Sequence, residues 1–421
     1  MPGLRWRPTR LHGLTNLVPP RGVAAPVLMI WLRDVPCAPA VVMRRSMPSM
    51  PGDEETERGG VTVAGERGET GKPAARVVAM IASPLEPEHA ERIAAAYPAC
   101  VELIYRPDLL PPMRFVADHG GDPGWRRTPE QQAEWHELLA RAEVLWDFAY
   151  GDETGPLQLS PRLRWVQTTS AGVGPYVKRL GLQESDVMVT TASGIHAQPL
   201  TEFVFAALLF HTKRFAHLQK EGKARRWQRF HTRELPGQTM AIVGPGRIGR
   251  EVARIARCFS MTVWAMAREN DSARAAGLGV DRLFHREELP SMLAGADCLV
   301  LCTPHTPETD GLIGRAEIAA LKPGAVFVNI ARGQVVDEDA LIDALRDGTI
   351  AFAALDVFRT EPLPSDSPLW ELPNVLVNFH SASTADTENA KLTDRFLENL
   401  AHYLRGELDQ MSPLLDKMRL Y

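Results

Sequence analysis

The chain has 421 residues, long enough for two domains of ordinary size. Its acidic side chains outnumber its basic ones, and the net charge of -5 argues against a general nucleic-acid surface. A hydrophobic content of 45% fits a globular protein. No apolar run reaches the ~20 residues of a transmembrane helix, so neither nucleic acid nor membrane is an expected partner.

Residues 1–74 are rich in Pro, Gly and Arg and show no sustained periodicity. They read as a disordered extension, or as the product of an upstream start, with Met47 and Met50 as alternatives. The apolar stretch from Val23 to Leu32 is interrupted by Pro26 and makes a poor signal peptide. Order is expected from Arg76 to Ile81, a buried strand, followed by a helix from Glu86 to Ala95 and a strand from Val101 to Tyr105. A loop rich in Pro, Gly and Arg runs from Arg106 to Arg127. Thr128-Pro129-Glu130-Gln131 then has the pattern of a capping box with proline at the first helical position, and opens a helix to about Ala142. Strands at 144–148 and 163–167 follow, and this alternation implies a parallel, doubly wound sheet.

An apolar helix from Pro199 to Arg214 reads as the bridge into a second domain. Six strands are expected there, at 240–243, 262–265, 298–302, 325–330, 353–357 and 375–377. Separated by helices, they match a dinucleotide-binding sheet. A last helix runs from Thr384 to Leu404. The fold class is therefore α/β with two doubly wound parallel-sheet domains. The expected divisions are 75–191, 192–379 and a segment 380–421 that returns to the first domain. Five cysteines form no CxxC pair and no metal-binding spacing, so no metal is expected. They read as reduced, buried thiols, which places the chain in the cytoplasm.

Gly244-Pro245-Gly246-Arg247-Ile248-Gly249 follows an apolar strand and opens a helix, the context that gives a GxGxxG pattern its meaning. Gly244 permits the tight turn, Gly246 lets backbone approach a pyrophosphate, and Gly249 allows close helix–strand packing. The amides of Arg247 and Ile248 lie at a helix N-terminus, where an anion is favoured. About twenty residues on, the position where an acid would bind the ribose hydroxyls of NAD falls on Ala267, and Arg268 follows. An arginine without the acid suits a 2′-phosphate, which favours NADP over NAD; Glu269 keeps the ribose alternative open.

Three further segments carry chemistry: Asn329-Ile330-Ala331-Arg332-Gly333, Asp356-Val357-Phe358-Arg359-Thr360-Glu361-Pro362 and Asn378-Phe379-His380. With Leu321-Lys322-Pro323-Gly324-Ala325 and the loop Thr306 to Gly314, they make residues 76–410 resemble the D-isomer-specific 2-hydroxyacid dehydrogenases, of the glyoxylate/hydroxypyruvate reductase kind. The resemblance implies a flavodoxin-like substrate domain beside a Rossmann-type cofactor domain. It also implies an oxidoreductase that transfers a hydride between a nicotinamide cofactor and a small 2-keto or D-2-hydroxy acid, and a homodimer. Arg332 is then the guanidinium that grips the carboxylate and polarises the carbonyl. His380 is the proton donor and Glu361 the carboxylate that orients it. In Ser170-Ala171-Gly172-Val173-Gly174, the amides of Ala171 and Gly172 are implied to bind the substrate carboxylate. Asp356, Thr303 and Pro304 are implied to touch the cofactor. The family usually has an acid where Gly174 stands, and Thr-Pro where Asn378-Phe379 precedes the histidine.

His119, His196, Tyr150 and Trp227 read as packing residues, with His119 also placed to line a cleft. Two competing functions remain. One is formate or phosphite oxidation, which Glu361 opposes because formate dehydrogenases pair the histidine with glutamine. The other is a nucleotide-sensing, corepressor-like binding protein on the same fold.

Overall fold

A computed structural model of the chain describes residues 76–149, 155–267 and 272–420, all within one compact unit. The expected extension at 1–74, together with Tyr150, Arg268 and Glu269, lies outside the described residues. The first part of the described chain runs β1 (Val77–Ile81), α1 (Pro87–Ala96), β2 (Val101–Ile104), α2 (Pro129–Arg141), β3 (Val144–Trp146), α3 (Pro156–Leu159), β4 (Trp165–Gln167), α4 (Gly174–Arg179) and β5 (Met188–Thr190). Its five strands are parallel, in the order β2-β1-β3-β4-β5. The capping box at Thr128 forms as read. The Thr128 hydroxyl accepts from the Gln131 amide, and the Gln131 side chain accepts from the Thr128 amide.

The second part runs α5 (Ala197–Thr212), α6 (Phe215–Lys223), β6 (Thr239–Val243), α7 (Arg247–Cys258), β7 (Thr262–Met266), α8 (Ser272–Leu278), β8 (Arg282–Phe284), α9 (Leu289–Gly295), β9 (Cys298–Leu301), α10 (Arg315–Ala320), β10 (Ala325–Asn329), α11 (Glu338–Asp347), β11 (Ile350–Leu355), β12 (Val375–Val377) and α12 (Glu388–Arg405). Seven parallel strands lie in the order β12-β11-β10-β9-β6-β7-β8. The chain order reverses between β6 and β9, which is where an open α/β sheet presents its ligand crevice. The central strands β6, β9 and β10 are buried almost throughout, as befits a parallel sheet covered on both faces. One apolar layer centres on Phe327, Leu341 and Phe358, the other on Val204, Val252 and Val263.

Several elements depart from the sequence reading. β5 and β8 have no counterpart among the expected strands; each has three residues, too few for periodicity to register. α5 begins two residues before Pro199, because proline is tolerated in a first turn whose amides have no intrahelical partner anyway. α12 begins at Glu388 rather than Thr384; before it, the amides of Ser381 and Ala382 donate to the Asp356 carboxylate. α12 packs back on the first sheet, where Phe396 stacks on Trp165 at 5.2 Å and meets the edge of Trp146 at 5.5 Å. Trp227, expected to pack, is 97% exposed. Of the free cysteines among the described residues, Cys298 is buried, Cys302 half-buried and Cys258 exposed, so the reading of buried thiols does not hold for Cys258. No helix among the described residues is long and apolar enough to cross a membrane.

Candidate active site

The glycine loop sits at the reversal point of the seven-stranded sheet, and its three glycines meet different demands. Gly244 has φ +93°, and a Cβ there would lie 2.8 Å from the backbone of Thr303, which follows β9. A Cβ on Gly249 would lie 2.5 Å from the Gly244 carbonyl oxygen. Gly246 faces open space, with nothing within 4 Å of its would-be Cβ. It is also the N-cap of α7, and no side chain caps that helix. Bare amides at a helix start, beside an open backbone cradle, suit a pyrophosphate, so the residues present fit a dinucleotide. The Arg247 side chain turns aside and donates from Nη1 to the Ser193 carbonyl at 3.2 Å.

Arg332 follows β10 and caps a short 3-10 turn, Gly333–Val335. A side chain on Gly333 would collide with the Phe358 carbonyl, so glycine is what lets this turn press against the 356–361 loop. The Arg332 Nη1 donates to the Ala331 carbonyl at 2.7 Å, and Nη2 lies where a Cβ on Gly172 would stand. The loop after β4 and the loop after β10 thus meet through one guanidinium. Burial pulls the Arg332 pKa below its ordinary value, against the opposing pull of Glu361 and Asp356.

Glu361 is held at both oxygens. Oε1 accepts from the Phe358 amide at 2.9 Å, and Oε2 accepts from His380 Nδ1 at 2.7 Å. A carboxylate can only accept, so Nδ1 carries the proton and Nε2 is left for another partner. Burial alone would push the Glu361 carboxyl up; His380, the Phe358 amide and Arg332 outweigh it and hold the pKa below its ordinary value. His380 itself adopts φ +53°, an uncommon conformation for a side chain of this size, and its amide donates to the Asp356 carbonyl at 2.9 Å. Asp356 anchors the same loop through Oδ1, which accepts from Asn378 Nδ2 at 2.8 Å, from the Ser381 amide at 2.9 Å and from the Ala382 amide at 3.0 Å. Burial nevertheless raises the Asp356 pKa. Asn378 therefore has a defined task, donating to the Asp356 carboxylate, that sequence reasoning missed.

Ala171 and Gly172, expected to bind the substrate carboxylate, are reached from β4 through Thr168, whose hydroxyl donates to the Ser170 carbonyl at 2.6 Å. Thr169 donates to Asp147 Oδ2 at 2.7 Å. Gly174 is explained by packing: any side chain there would strike the carbonyl of Leu420. Thr303 is buried against the glycine loop, and the Pro304 carbonyl accepts from the Thr309 hydroxyl at 2.7 Å. A cavity of about 360 Å³, lined by His211, Arg233, Asp297 and Lys322 among others, opens at the other end of the strands and shares no residue with this site.

A guanidinium packed on the backbone of Gly172, an imidazole backed by a carboxylate, and a glycine loop with bare helix-start amides have the chemistry to bind an organic anion, move one proton and hold a dinucleotide. Residues 205–382 match the family described as D-isomer specific 2-hydroxyacid dehydrogenase, NAD binding domain. The chain is 35% identical over 284 residues to glyoxylate/hydroxypyruvate reductase B of Pectobacterium carotovorum, covering 65% of this chain and 86% of that protein. Among solved structures it resembles a D-isomer specific 2-hydroxyacid dehydrogenase from Xanthobacter autotrophicus, solved with NADPH and MES. That likeness has 30% identity and a TM-score of 0.63, over 82% of this chain and all of that one. A family member from Aeromonas salmonicida gives a TM-score of 0.66 at 26% identity, with the same coverage.

The chain belongs to the D-isomer-specific 2-hydroxyacid dehydrogenase family. It is an NAD(P)-dependent oxidoreductase acting on 2-keto and D-2-hydroxy acids. Nothing in these likenesses favours the corepressor alternative.

Proposed function

We propose that this enzyme reduces a small 2-keto acid, with glyoxylate and hydroxypyruvate foremost, prefers NADPH to NADH, and uses Arg332, Glu361 and His380 as its catalytic residues. The observation that carries this reading is the His380–Glu361 pair on one side of the site and Arg332 packed on Gly172 on the other. The name of the Pectobacterium relative supports the substrates, and the NADPH in the Xanthobacter structure supports the cofactor. The backbone of Gly244, Gly246, Arg247, Ile248 and Gly249 would hold the pyrophosphate, and Thr303, Pro304 and Asp356 the nicotinamide end. Arg268, outside the described residues, would take the 2′-phosphate.

When bound, the reduced nicotinamide supplies the hydride that the carbonyl carbon receives. Arg332 holds the substrate carboxylate, together with the amides of Ala171 and Gly172, and draws electron density toward the carbonyl oxygen. A guanidinium stays charged at neutral pH despite its burial, so this grip does not titrate away. His380 gives its Nε2 proton to the developing alkoxide. Glu361 stays ionised, keeps the ring in place through Nδ1 and stabilises the imidazolium before transfer. The half-exposed imidazole then regains a proton from solvent.

The proposed division of the chain is a substrate domain from 75–191 completed by 380–421, with the cofactor domain at 192–379 between them. A homodimer completes the reading; α6 has no buried residue and exposes Phe215 and Leu218, an apolar face that a second copy would cover. Oxidation of NADPH and of NADH, followed at 340 nm against a panel of 2-keto acids, tests the function. Turnover with short 2-keto acids and a higher kcat/KM for NADPH is the expected result. A preference for NADH would overturn the cofactor assignment, and no oxidation with any 2-keto acid would overturn the whole reading.

A further inference from the structure

Away from the residues assigned above, one carboxylate ties together three distant stretches of chain. Glu388, the first residue of α12, accepts from His196 Nε2 at 3.1 Å and from His119 Nε2 at 3.2 Å. His196 is the N-cap residue of α5, and His119 lies in the loop between β2 and α2. Asn389 extends the cluster by donating to Glu86 Oε2 at 2.6 Å, while Glu86 Oε1 accepts from the Ala117 amide at 3.0 Å. Glu388 is 6% exposed and Asn389 1%.

Burying an ion costs several kcal/mol unless it is closely paired, so such a cluster calls for a reason beyond filling space. Its connections supply one. The chain passes between the two sheets twice, through 191–196 into α5 and through 378–387 into α12, and Glu388 with His196 joins those passages directly. The first passage is also held from the cofactor side, where Arg247 of the glycine loop donates to Ser193. The second passage carries His380, eight residues before Glu388. On the other flank, Asp147 exerts its charge on His119 and accepts the Thr169 hydroxyl, two residues before Ala171.

We infer that Glu388 is a positioning residue for the reduction: by receiving His196 and His119 it pins the two passages to each other and holds the His380 loop in register with the substrate loop. This rests on the function proposed above. A residue that merely stabilised the fold would change the amount of folded enzyme and leave each folded active site unaltered. A positioning residue changes the rate per site, because a displacement of about 1 Å far from the chemistry can cost about 10²-fold. It moves kcat and KM for the keto acid together, as changes at hinge positions do.

The test uses the full-length protein, with active sites counted by NADPH binding and kinetics taken on wild type, Glu388→Gln and His119→Gln. Glu388→Gln is expected to lower kcat/KM for the keto acid by about 10- to 100-fold per site, with the NADPH dissociation constant within about twofold of wild type. His119→Gln is expected to act in the same direction by a smaller factor, since the His196 contact remains. Wild-type kinetics per site in Glu388→Gln, even with a lowered melting temperature, overturn the inference. Should that variant fail to fold, His119→Gln decides in the same way. Normal wild-type turnover with unaltered variants sinks this inference alone, whereas a wild type inert toward every 2-keto acid sinks the functional reading first.

Discussion

The glycine loop and the proposed acid–base site lie at strand ends of one sheet, yet they are built in opposite ways. The loop is six consecutive residues, and what matters in it is backbone: a positive φ at Gly244, a close approach at Gly249, an open face at Gly246. The acid–base site is a set of side chains from separate loops, with Arg332, Glu361 and His380 brought together by Gly333, by the Phe358 amide and by Asp356. A site written in backbone is specified where it stands, while a site written in side chains depends on every loop that delivers one. The first should tolerate distant changes, and the second should respond to them.

The largest expected effect is at the side-chain site. Arg332→Ala should lower keto-acid kcat/KM by on the order of 10³-fold while NADPH binding, followed by fluorescence titration, stays near wild type. Parallel loss of cofactor binding would erase the distinction between the two regions. Next comes a change in neither: Phe396→Ala empties the stack between α12 and β4 and should cost about 3–5 kcal/mol in chemical denaturation, with NADPH affinity retained once folded. At the loop, Gly249→Val forces a side chain against the Gly244 carbonyl and should weaken NADPH binding by about 10- to 100-fold. Unchanged affinity there would mean that the cradle is not the phosphate site.

The smallest expected effect is a pH dependence at Glu388. Burial pushes this carboxyl up, but the two imidazoles overcome it and carry the pKa from an ordinary 4.5 down to about 2. Because the folded value is the lower one, the stabilisation is complete above about 4.5 and is lost as pH falls toward 2. His119 shows the complementary sign: burial lowers it, Glu388 with Asp147 and Glu86 raises it further, and its contribution fades as pH rises through its folded value. Melting curves of wild type should therefore fall more steeply on acidification across this window than those of Glu388→Gln. Parallel curves would show that the pairing stabilises nothing.

The same contrast explains what was legible in the sequence. The capping box at Thr128, the strand before Gly244 and the helix after it are local patterns, and each forms where the spacing puts it. Arg332, Glu361 and His380 each stand in a motif of their own, and the contact of His380 with Glu361 spans only 19 positions. Glu388 carries no such motif. Its partners are 192 and 269 residues away, so His119 and His196 looked like isolated packing histidines. Gly174 was similarly opaque, because the reason for it, Leu420, arrives from the far end of the chain. β5 and β8 were too short to show a period, and their places come from the neighbouring strands with which they pair.

The most direct measurement is a single-turnover experiment. NADPH-loaded wild type and His380→Ala, matched for cofactor occupancy, are mixed with glyoxylate and the loss of absorbance at 340 nm is timed. A proton donor at this position is worth about 10²- to 10⁴-fold, so the variant should be slower by that factor with the same amplitude of bound cofactor. Equal rates in the two proteins would contradict the role given to the carboxylate-backed imidazole, and with it the account of the site.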